Sequence, residues 1–344
     1  MKTAWKLSVS LAAVLLLFPL AVQSASRSET KASVEQKRKE HSGTEEQNRL
    51  LRLQIFLDDS GFRPGAIDGH WGEFTRKALA RYQQAQGQEK SLQNNRAPDD
   101  FGVPLDANSQ PLTSYQITEA DEKSIGPVAK SPEEQSKLKT LMYGSIEELV
   151  AEKFHANIDL IKKLNPGSTW KANETVQVPN IATPFDIEVV QKLKGEKKKA
   201  RSDAGKETDE QLSIAVDTEE KMLDLRSGDK VVASYPITPG SERLPAPKGE
   251  WKIDRITWLP PFRWDKEMLE KGKRSSNALN LPSGPNSVVG ILWMELNKEG
   301  IGIHGTSEPE TIGRSTSHGC VRLSNWDAFD LAQRVSPQTK VLIR

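Results

Sequence analysis

The sequence predicts a multidomain chain with a small helical module near the N-terminus, a small α+β module in the middle and a mostly-β domain at the C-terminus. Three observations support this fold class. Apolar residues recur with helical spacing in two segments between residues 50 and 164. Short alternating runs separated by glycine and proline fill the last third of the chain. The length of 344 residues also exceeds that of one average domain.

The N-terminus has the pattern of an export signal. Two lysines precede an apolar stretch from Leu11 to Val22, and small residues follow it. This pattern predicts a secretory signal peptide over residues 1–25. The apolar stretch is shorter than the ~20 residues needed to cross a bilayer, which favours a cleaved signal over a retained membrane anchor. After cleavage, we expect no integral membrane span. A polar spacer, 26–47, follows, and we expect a secreted or periplasmic protein.

Overall charge and cysteine content exclude some function classes. The 48 basic and 47 acidic residues nearly cancel, so no global basic field indicates nucleic-acid binding. Cys320 is the only cysteine, so no internal disulfide can form. A lone cysteine in an exported chain is a reactive thiol, an intermolecular cross-link or a small buried residue, and its count leaves all three open.

The first module, residues 48–90, is predicted as a helical hairpin. Apolar residues with helical spacing mark its two helices: Leu50, Leu53, Ile55, Phe56 and Leu57, then Phe74, Ala78, Leu79 and Tyr82. Glycines punctuate the connection, where Asp68 can bond back to the turn backbone. The pattern LQxxLxxxGFxxGxIDGxxGxxTxxALxxYQ resembles the peptidoglycan-binding-domain-1 family. That resemblance implies attachment to cell-wall polymer.

The middle of the chain is predicted as an irregular connector, 91–136, an α+β module, 137–182, and a basic linker, 183–209. In the module, helical spacing around Ile146–Phe154 and Ile158–Leu164 precedes an alternating strand at Val176–Val178. This order resembles a degenerate LysM module, which would bind glycan. The segment lacks a clear Gly-Asp-Thr opening, so a structural spacer is the alternative.

The C-terminal domain, 210–344, contains the segment that carries chemistry, HGTSEPETIGRSTSHGCVRL from His304 to Leu323. A cysteine becomes a useful nucleophile when a neighbouring histidine takes its proton, and His304 and His318 are the candidates. Glycines beside them let backbone approach the reacting centre. A zinc site formed by the two histidines and Cys320, or a buried structural cysteine, are the alternatives. Asn325 is a candidate N-cap for a following helix.

The segment HxxxxxxxIGxxxSHGCxRL resembles the signature of the L,D-transpeptidase catalytic domain, YkuD. The resemblance implies that Cys320 is the nucleophile and His304 the general base, with the Gly305 carbonyl orienting the imidazole. It places backbone N–H groups around Gly319 in the oxyanion hole. The resemblance also implies that three further signature residues contact the substrate: Ser317, His318 and Arg322. For Arg322 a structural ion pair is the alternative.

The same resemblance implies a reaction on peptidoglycan stem peptides and glycan, without a metal or other cofactor. A thioester forms on the donor tetrapeptide with release of D-alanine, and an amine acceptor resolves it. That acceptor is a second stem peptide, a lipoprotein or a D-amino acid. Hydrolysis of the same bond and a non-catalytic wall-binding role are the alternatives. Trp258 and Trp264, in the weakly matched stretch, are predicted to fill the core, with the lining of a cleft as the alternative.

Overall fold

A computed structural model describes residues 44–88, 96–194, 212–241, 244–267, 274–315 and 319–344. The predicted signal peptide and all but the last four residues of the polar spacer lie outside these ranges, as does most of the basic linker. Within these ranges, no helix is both long and apolar enough to cross a bilayer.

The N-terminal helical hairpin is confirmed. Helix α1 covers residues 44–59 and helix α2 covers Glu73–Ala85. Between them, the side chain of Gln54 accepts hydrogen bonds from the N–H groups of Asp68 (3.1 Å) and Gly69 (2.8 Å). The Asp68 carboxylate in turn accepts the N–H of His70 at 2.9 Å, as predicted for this turn. These bonds satisfy the turn backbone and fix the angle between the helices.

The middle region contains the predicted helices and strand, together with a strand that the sequence did not locate. Strand β1 pairs antiparallel with β2 although some sixty residues separate them. The predicted connector, 91–136, therefore contains regular structure and supplies the partner strand of the α+β module. The LysM-like assignment of this module stays a prediction. The elements are β1 (Leu112–Gln116), α3 (Glu119–Lys123), α4 (Pro132–Gln135), α5 (Ile146–Lys153), α6 (Ile158–Leu164), β2 (Thr175–Pro179) and α7 (Ile187–Leu193).

The C-terminal region is mostly β, as predicted, and is built on one mixed sheet of eight strands. The strands of this region are β3 (Leu212–Asp217), β4 (Met222–Ser227), β5 (Lys230–Pro236), β6 (Gly249–Trp258), β7 (Phe262–Trp264), β8 (Leu279–Leu281), β9 (Leu292–Leu296), β10 (Gly302–His304), β11 (Val321–Arg322) and β12 (Lys340–Ile343). The order in the sheet is β11-β10-β9-β6-β12-β3-β4-β5, and β7 and β8 form a separate hairpin.

The two edges of this sheet meet at one point. Thr238, just after β5, forms an isolated bridge with Arg322 in β11, and each N–H donates to the other carbonyl at 2.9 Å. A short 3-10 helix, Pro309–Thr311, lies in the segment between β10 and β11. The bridge fixes β11 on both sides, because β10 pairs with its other edge. The segment that carries the predicted nucleophile is thus anchored where it enters β11.

Helix α8, Asn325–Arg334, follows β11, and its N-cap is not the residue predicted from the sequence. Its N-cap is Ser324, whose hydroxyl accepts the N–H of Asp327 at 3.2 Å. Asn325, the predicted cap, is the first helical residue, and its side chain bonds elsewhere in the core. Trp258 is buried and Trp264 is half-buried, so the core prediction holds fully for the first only.

The three predicted modules do not fold as separate bodies. Residues 47–344 form one compact unit, and a single apolar cluster contains Leu51 of α1, Val150 of α5 and Ile214 of β3. Partly buried polar contacts cross the same boundaries: Arg81 in α2 donates to Asp224 in β4 at 3.0 Å. Burial of apolar surface between the modules therefore stabilises the arrangement that carries the site.

Candidate active site

Two adjacent parallel strands position the predicted nucleophile and base. His304 is the last residue of β10, and Cys320 immediately precedes β11. The strands pair in parallel, with Ile303 opposite Val321 and His304 opposite Arg322. Residues sixteen positions apart in sequence are thereby brought to neighbouring strands, with Cys320 one residue before the Ile303–Val321 pair and His304 one residue after it.

The His304 imidazole is buried and held in one tautomer. Its side chain lies against Trp293, with ring centroids 5.2 Å apart and an interplanar angle of 16°. Nδ1 lies 2.6 Å from the carbonyl oxygen of Gly305. A carbonyl only accepts, so Nδ1 carries the proton and Nε2 is left as the acceptor. Gly305 thus occupies the position predicted for the backbone orienter.

Burial sets the protonation state of this histidine. Desolvation lowers the pKa of His304 to about 4; the Gly305 hydrogen bond opposes this shift and the charge of Arg322 adds to it. At neutral pH the imidazole is therefore uncharged. An uncharged imidazole is the form that can accept a proton.

The Cys320 thiol is half-buried and uncharged at neutral pH. It donates a hydrogen bond to the Gly300 carbonyl at 3.7 Å. Burial raises the pKa of Cys320 to about 11, against the opposing effects of the Gly302 backbone and the Arg322 charge. The thiol is therefore not a preformed thiolate, and nucleophilic attack requires a base that removes the proton.

This protonation state predicts a distinctive alkylation profile for Cys320. The rate with iodoacetamide should rise about tenfold per pH unit from pH 7 to 10 with no plateau, because the thiolate fraction follows a pKa near 11. Since Cys320 is the only cysteine, mass spectrometry of the intact protein reads the rate directly. Glutathione, with an unburied thiol, serves as the reference and should level off earlier. A plateau below pH 8 would contradict the expected state.

The loop before Cys320 depends on two glycines with positive φ. Gly319 has φ +93° and Gly313 has φ +73°, values that L side chains rarely adopt. A Cβ on Gly313 would collide with the ring of Phe74 in α2, so the helical module packs directly on this loop. The Thr238 hydroxyl accepts the Gly313 N–H at 2.8 Å. Ser317 and His318 lie outside the described residues.

Arg322 lies opposite His304 in the neighbouring strand, and its guanidinium is only partly hydrogen-bonded within the described residues. Its Nη1 donates to the Ser315 hydroxyl at 3.4 Å, and its buried Nε has no hydrogen-bond partner within the described ranges. Burial lowers the pKa of Arg322, which the nearby Glu308 opposes. Arg322 forms no ion pair among the residues that the structure describes. In the same described ranges, no cluster of three or more His, Cys, Asp or Glu side chains could hold a metal ion.

Some residues of the site were not identified from the sequence. Trp293 stacks on the imidazole, Thr238 holds the loop, and the buried Asn325 side chain contacts the backbone beside His304. Asn325 lies two residues after the end of the signature segment, and this closeness was the only sign of its role in the sequence. Because Asn325 was interpreted as a helix cap, the contact of its side chain with the backbone beside His304 was not predicted.

Two regions of the chain match models of known protein families. Residues 46–90 match the family model PG_binding_1, "Putative peptidoglycan binding domain", and residues 211–343 match the model YkuD, "L,D-transpeptidase catalytic domain". The chain thus contains a region similar to a peptidoglycan-binding domain and a region similar to the catalytic domain of an acyltransferase-type enzyme. More particularly, residues 211–343 are similar to L,D-transpeptidase catalytic domains of the YkuD type.

Similar curated proteins have the same descriptions. "Putative L,D-transpeptidase YkuD" of Bacillus licheniformis is 27% identical over 210 residues, which are 59% of this chain and 98% of that protein. The Bacillus subtilis protein of the same name is 32% identical over 130 residues, 38% of this chain and 64% of that one. "Probable L,D-transpeptidase YbiS" of Escherichia coli is 33% identical over 94 residues, 27% of this chain and 30% of that one.

Similar solved structures include an L,D-transpeptidase from Mycobacterium smegmatis, with a TM-score of 0.32, 16% identity and coverage of 39% of this chain and 58% of that one. The catalytic domain of the E. faecium L,D-transpeptidase gives a TM-score of 0.29 at 20% identity and covers 41% of this chain and 100% of that one.

Proposed function

We propose that this protein is a peptidoglycan L,D-transpeptidase that works outside the cytoplasm, with Cys320 as nucleophile and His304 as general base. One observation carries the proposal. A buried, uncharged imidazole with Nδ1 fixed on a carbonyl lies at the end of the strand beside the one that Cys320 enters. That arrangement supplies a base, its orienter and a thiol within one strand pair.

The reaction begins when the thiol turns from the Gly300 carbonyl toward Nε2 of His304. As Nε2 takes the proton, Sγ bonds to the carbonyl carbon of the L-centre residue in a donor tetrapeptide, and the carbonyl electrons move to oxygen. N–H groups at Gly319 and Cys320 hold this oxyanion. The oxyanion collapses, the bond to D-alanine breaks, and the leaving amine takes the proton from His304. A thioester on Cys320 remains.

The second half of the reaction uses the same groups in reverse. An acceptor amine attacks the thioester carbon and gives its proton to His304, and the cysteine leaves with that proton. The Gly305 carbonyl accepts from Nδ1 throughout, so it stabilises the imidazolium that forms in both halves. Because burial favours the neutral thiol and neutral imidazole, we infer that proton transfer accompanies attack rather than preceding it.

Two further observations support a peptidoglycan substrate. Nε of Arg322 is buried and has no hydrogen-bond partner among the described residues. It supports the binding of a stem-peptide carboxylate, since a buried guanidinium N–H without a partner is costly. The contact of Phe74 with Gly313 puts the helical module against the loop that leads to Cys320. Wall polymer held by that module would then lie near the acyl-transfer site.

Incubation of the signal-free protein with disaccharide tetrapeptide, followed by mass spectrometry, tests the proposal. A cross-linked dimer that has lost one D-alanine is the expected product. Addition of a D-amino acid or of a lipoprotein with an exposed lysine then identifies which amines are accepted. Tripeptide alone would assign hydrolysis instead.

Cys320→Ala is the control, and it should remove both the product and any covalent adduct with a carbapenem. Absence of product and of adduct from the unaltered protein would overturn the proposal. Retention of turnover by Cys320→Ala would exclude the cysteine mechanism.

A further inference from the structure

A buried carboxyl group from the middle region reaches the catalytic domain. Glu152, in α5, is 6% exposed, and its Oε2 accepts a hydrogen bond from Nδ2 of Asn325 at 2.9 Å. Its Oε1 lies 2.6 Å from the Tyr143 hydroxyl oxygen, which donates to the ionised carboxylate and accepts from the protonated acid. Glu152 lies well outside the 211–343 domain, yet its carboxyl group bonds to the first residue of α8.

The Asn325 side chain is held rigidly by several contacts. It is fully buried, and Nδ2 also donates to the Pro285 carbonyl at 3.2 Å. Its Oδ1 accepts the N–H of Ile291 at 3.2 Å. The same oxygen lies against Gly290 and Gly305, where a Cβ on either glycine would collide with it. The amide therefore packs directly on the backbone of Gly305.

Gly305 is the residue whose carbonyl accepts from Nδ1 of His304. A continuous series of contacts thus runs from Glu152 through Asn325 and Gly305 to the imidazole. We propose that Glu152 is a positioning residue for the base His304, acting through the amide of Asn325 on the Gly305 carbonyl. This inference rests on the proposed function of His304.

Glu152 acts by fixing the orientation of the Asn325 side-chain amide. An Asn amide can rotate about its last bond, and an acceptor on Nδ2 selects the orientation that points Oδ1 at Gly290, Ile291 and Gly305. Without Glu152, Nδ2 keeps only the longer bond to Pro285, and the amide loses its main orienting contact. A base that is misplaced by about 1 Å can cost about a hundredfold in rate.

The carboxyl group is present largely in its protonated form at neutral pH. Burial raises the pKa of Glu152 to about 8; the bonds from Tyr143 and Asn325 oppose the shift, and Glu148 adds to it. Glutamine therefore matches the neutral carboxyl closely, with an oxygen for Asn325 and an N–H for the Tyr143 oxygen. Methionine keeps the length and volume but offers no acceptor.

The test compares Glu152→Met with Glu152→Gln. We expect Glu152→Met to lower kcat about tenfold or more with KM within about twofold, since positioning of the base acts on the chemical step. Glu152→Gln should stay within about twofold of the unaltered protein in both constants. Glu148→Met is the matched control, because Glu148 lies on the same helix but bonds to the N–H of Gly144; it should leave kcat unchanged.

A second measurement separates positioning from general loss of structure. The Nδ1–H of His304, bonded at 2.6 Å, should give a downfield proton resonance that moves or broadens in Glu152→Met and stays in Glu148→Met. If Glu152→Met does not fold, Glu152→Asp replaces it with the same expectation, because the shorter acid cannot reach Nδ2.

The outcomes distinguish the two proposals. A folded Glu152→Met with unchanged kcat and an unchanged resonance overturns the inference while leaving the proposed function intact. An unaltered protein without turnover defeats the proposed function, and the resonance still tells whether Glu152 positions the imidazole.

Discussion

Replacement of His304 by glutamine is expected to lower kcat about a thousandfold and to leave the donor KM within about twofold. Loss of a positioned general base costs 10²- to 10⁴-fold, and His304 would act only on the chemical step. Glutamine is neutral, as the buried imidazole is at pH 7, so it introduces no charge into the site. Quantification of released D-alanine and of the covalent adduct during a single turnover measures the effect.

The pH dependence gives the same prediction a second readout. Because burial holds the pKa of His304 at about 4, the base stays competent down to that pH and is lost only as the pH falls through it. The acid limb of the rate profile should therefore lie near pH 4 instead of pH 6.5, and His304→Gln should lack it.

His70→Gln is the matched control, since His70 is exposed in the turn of the helical module. It should leave both the rate and the acid limb unchanged. A rate for His304→Gln within tenfold of the unaltered protein would show that another group takes the thiol proton.

Features that depend on nearby residues were predictable from the sequence. The hairpin of α1 and α2, the Asp68 turn and the β-rich C-terminal region follow from periodicity and turn residues. The grouping of His304, Gly305 and Cys320 came from a signature with fixed spacing, and the hydrogen bond from His304 to the Gly305 carbonyl agrees with that expectation. Their catalytic roles stay proposals.

Features that depend on distant partners were not predictable. The pairing of β1 with β2 and the contact between Glu152 and Asn325 join residues separated by 59 or more positions, and no local pattern specifies such partners. Chain length and the polar segments between modules suggested separate modules, whereas apolar side chains from all three pack in one core. Cys320 illustrates the same limit, because its raised pKa depends on burial that the signature does not encode.

The junction between the helical module and α8 is held by a buried ionic cluster around Arg63. The guanidinium, on a residue that is 7% exposed, lies 2.7 Å from Asp58, 3.6 Å from Asp327 and 3.4 Å from Asp330. Burial alone would raise the pKa of Asp58, but His155 and Arg63 outweigh it and hold that pKa at about 2. Burial raises the pKa of Asp327 to about 7 even against Arg63.

Arg63→Met is therefore expected to lower the free energy of unfolding by ~3–5 kcal/mol, because removal of one partner leaves buried carboxylates uncompensated. Urea denaturation at pH 7 measures this loss. The difference in unfolding free energy between the variant and the unaltered protein should shrink as the pH falls toward 4. The unaltered protein loses the stability from Asp58 as the pH falls from 3.8 toward 2, whereas the variant's carboxylates, with raised pKa values, take up protons earlier.

Arg255→Met is the matched control for this prediction. Arg255 is 70% exposed and pairs with Glu295 on the sheet surface, and such pairs contribute ~0–1 kcal/mol. If Arg63→Met cost no more than this control, apolar packing alone would hold the helical module against α8. A large deficit would instead show that the charges of the cluster help to keep α8, and with it Asn325 and the base, in the arrangement described.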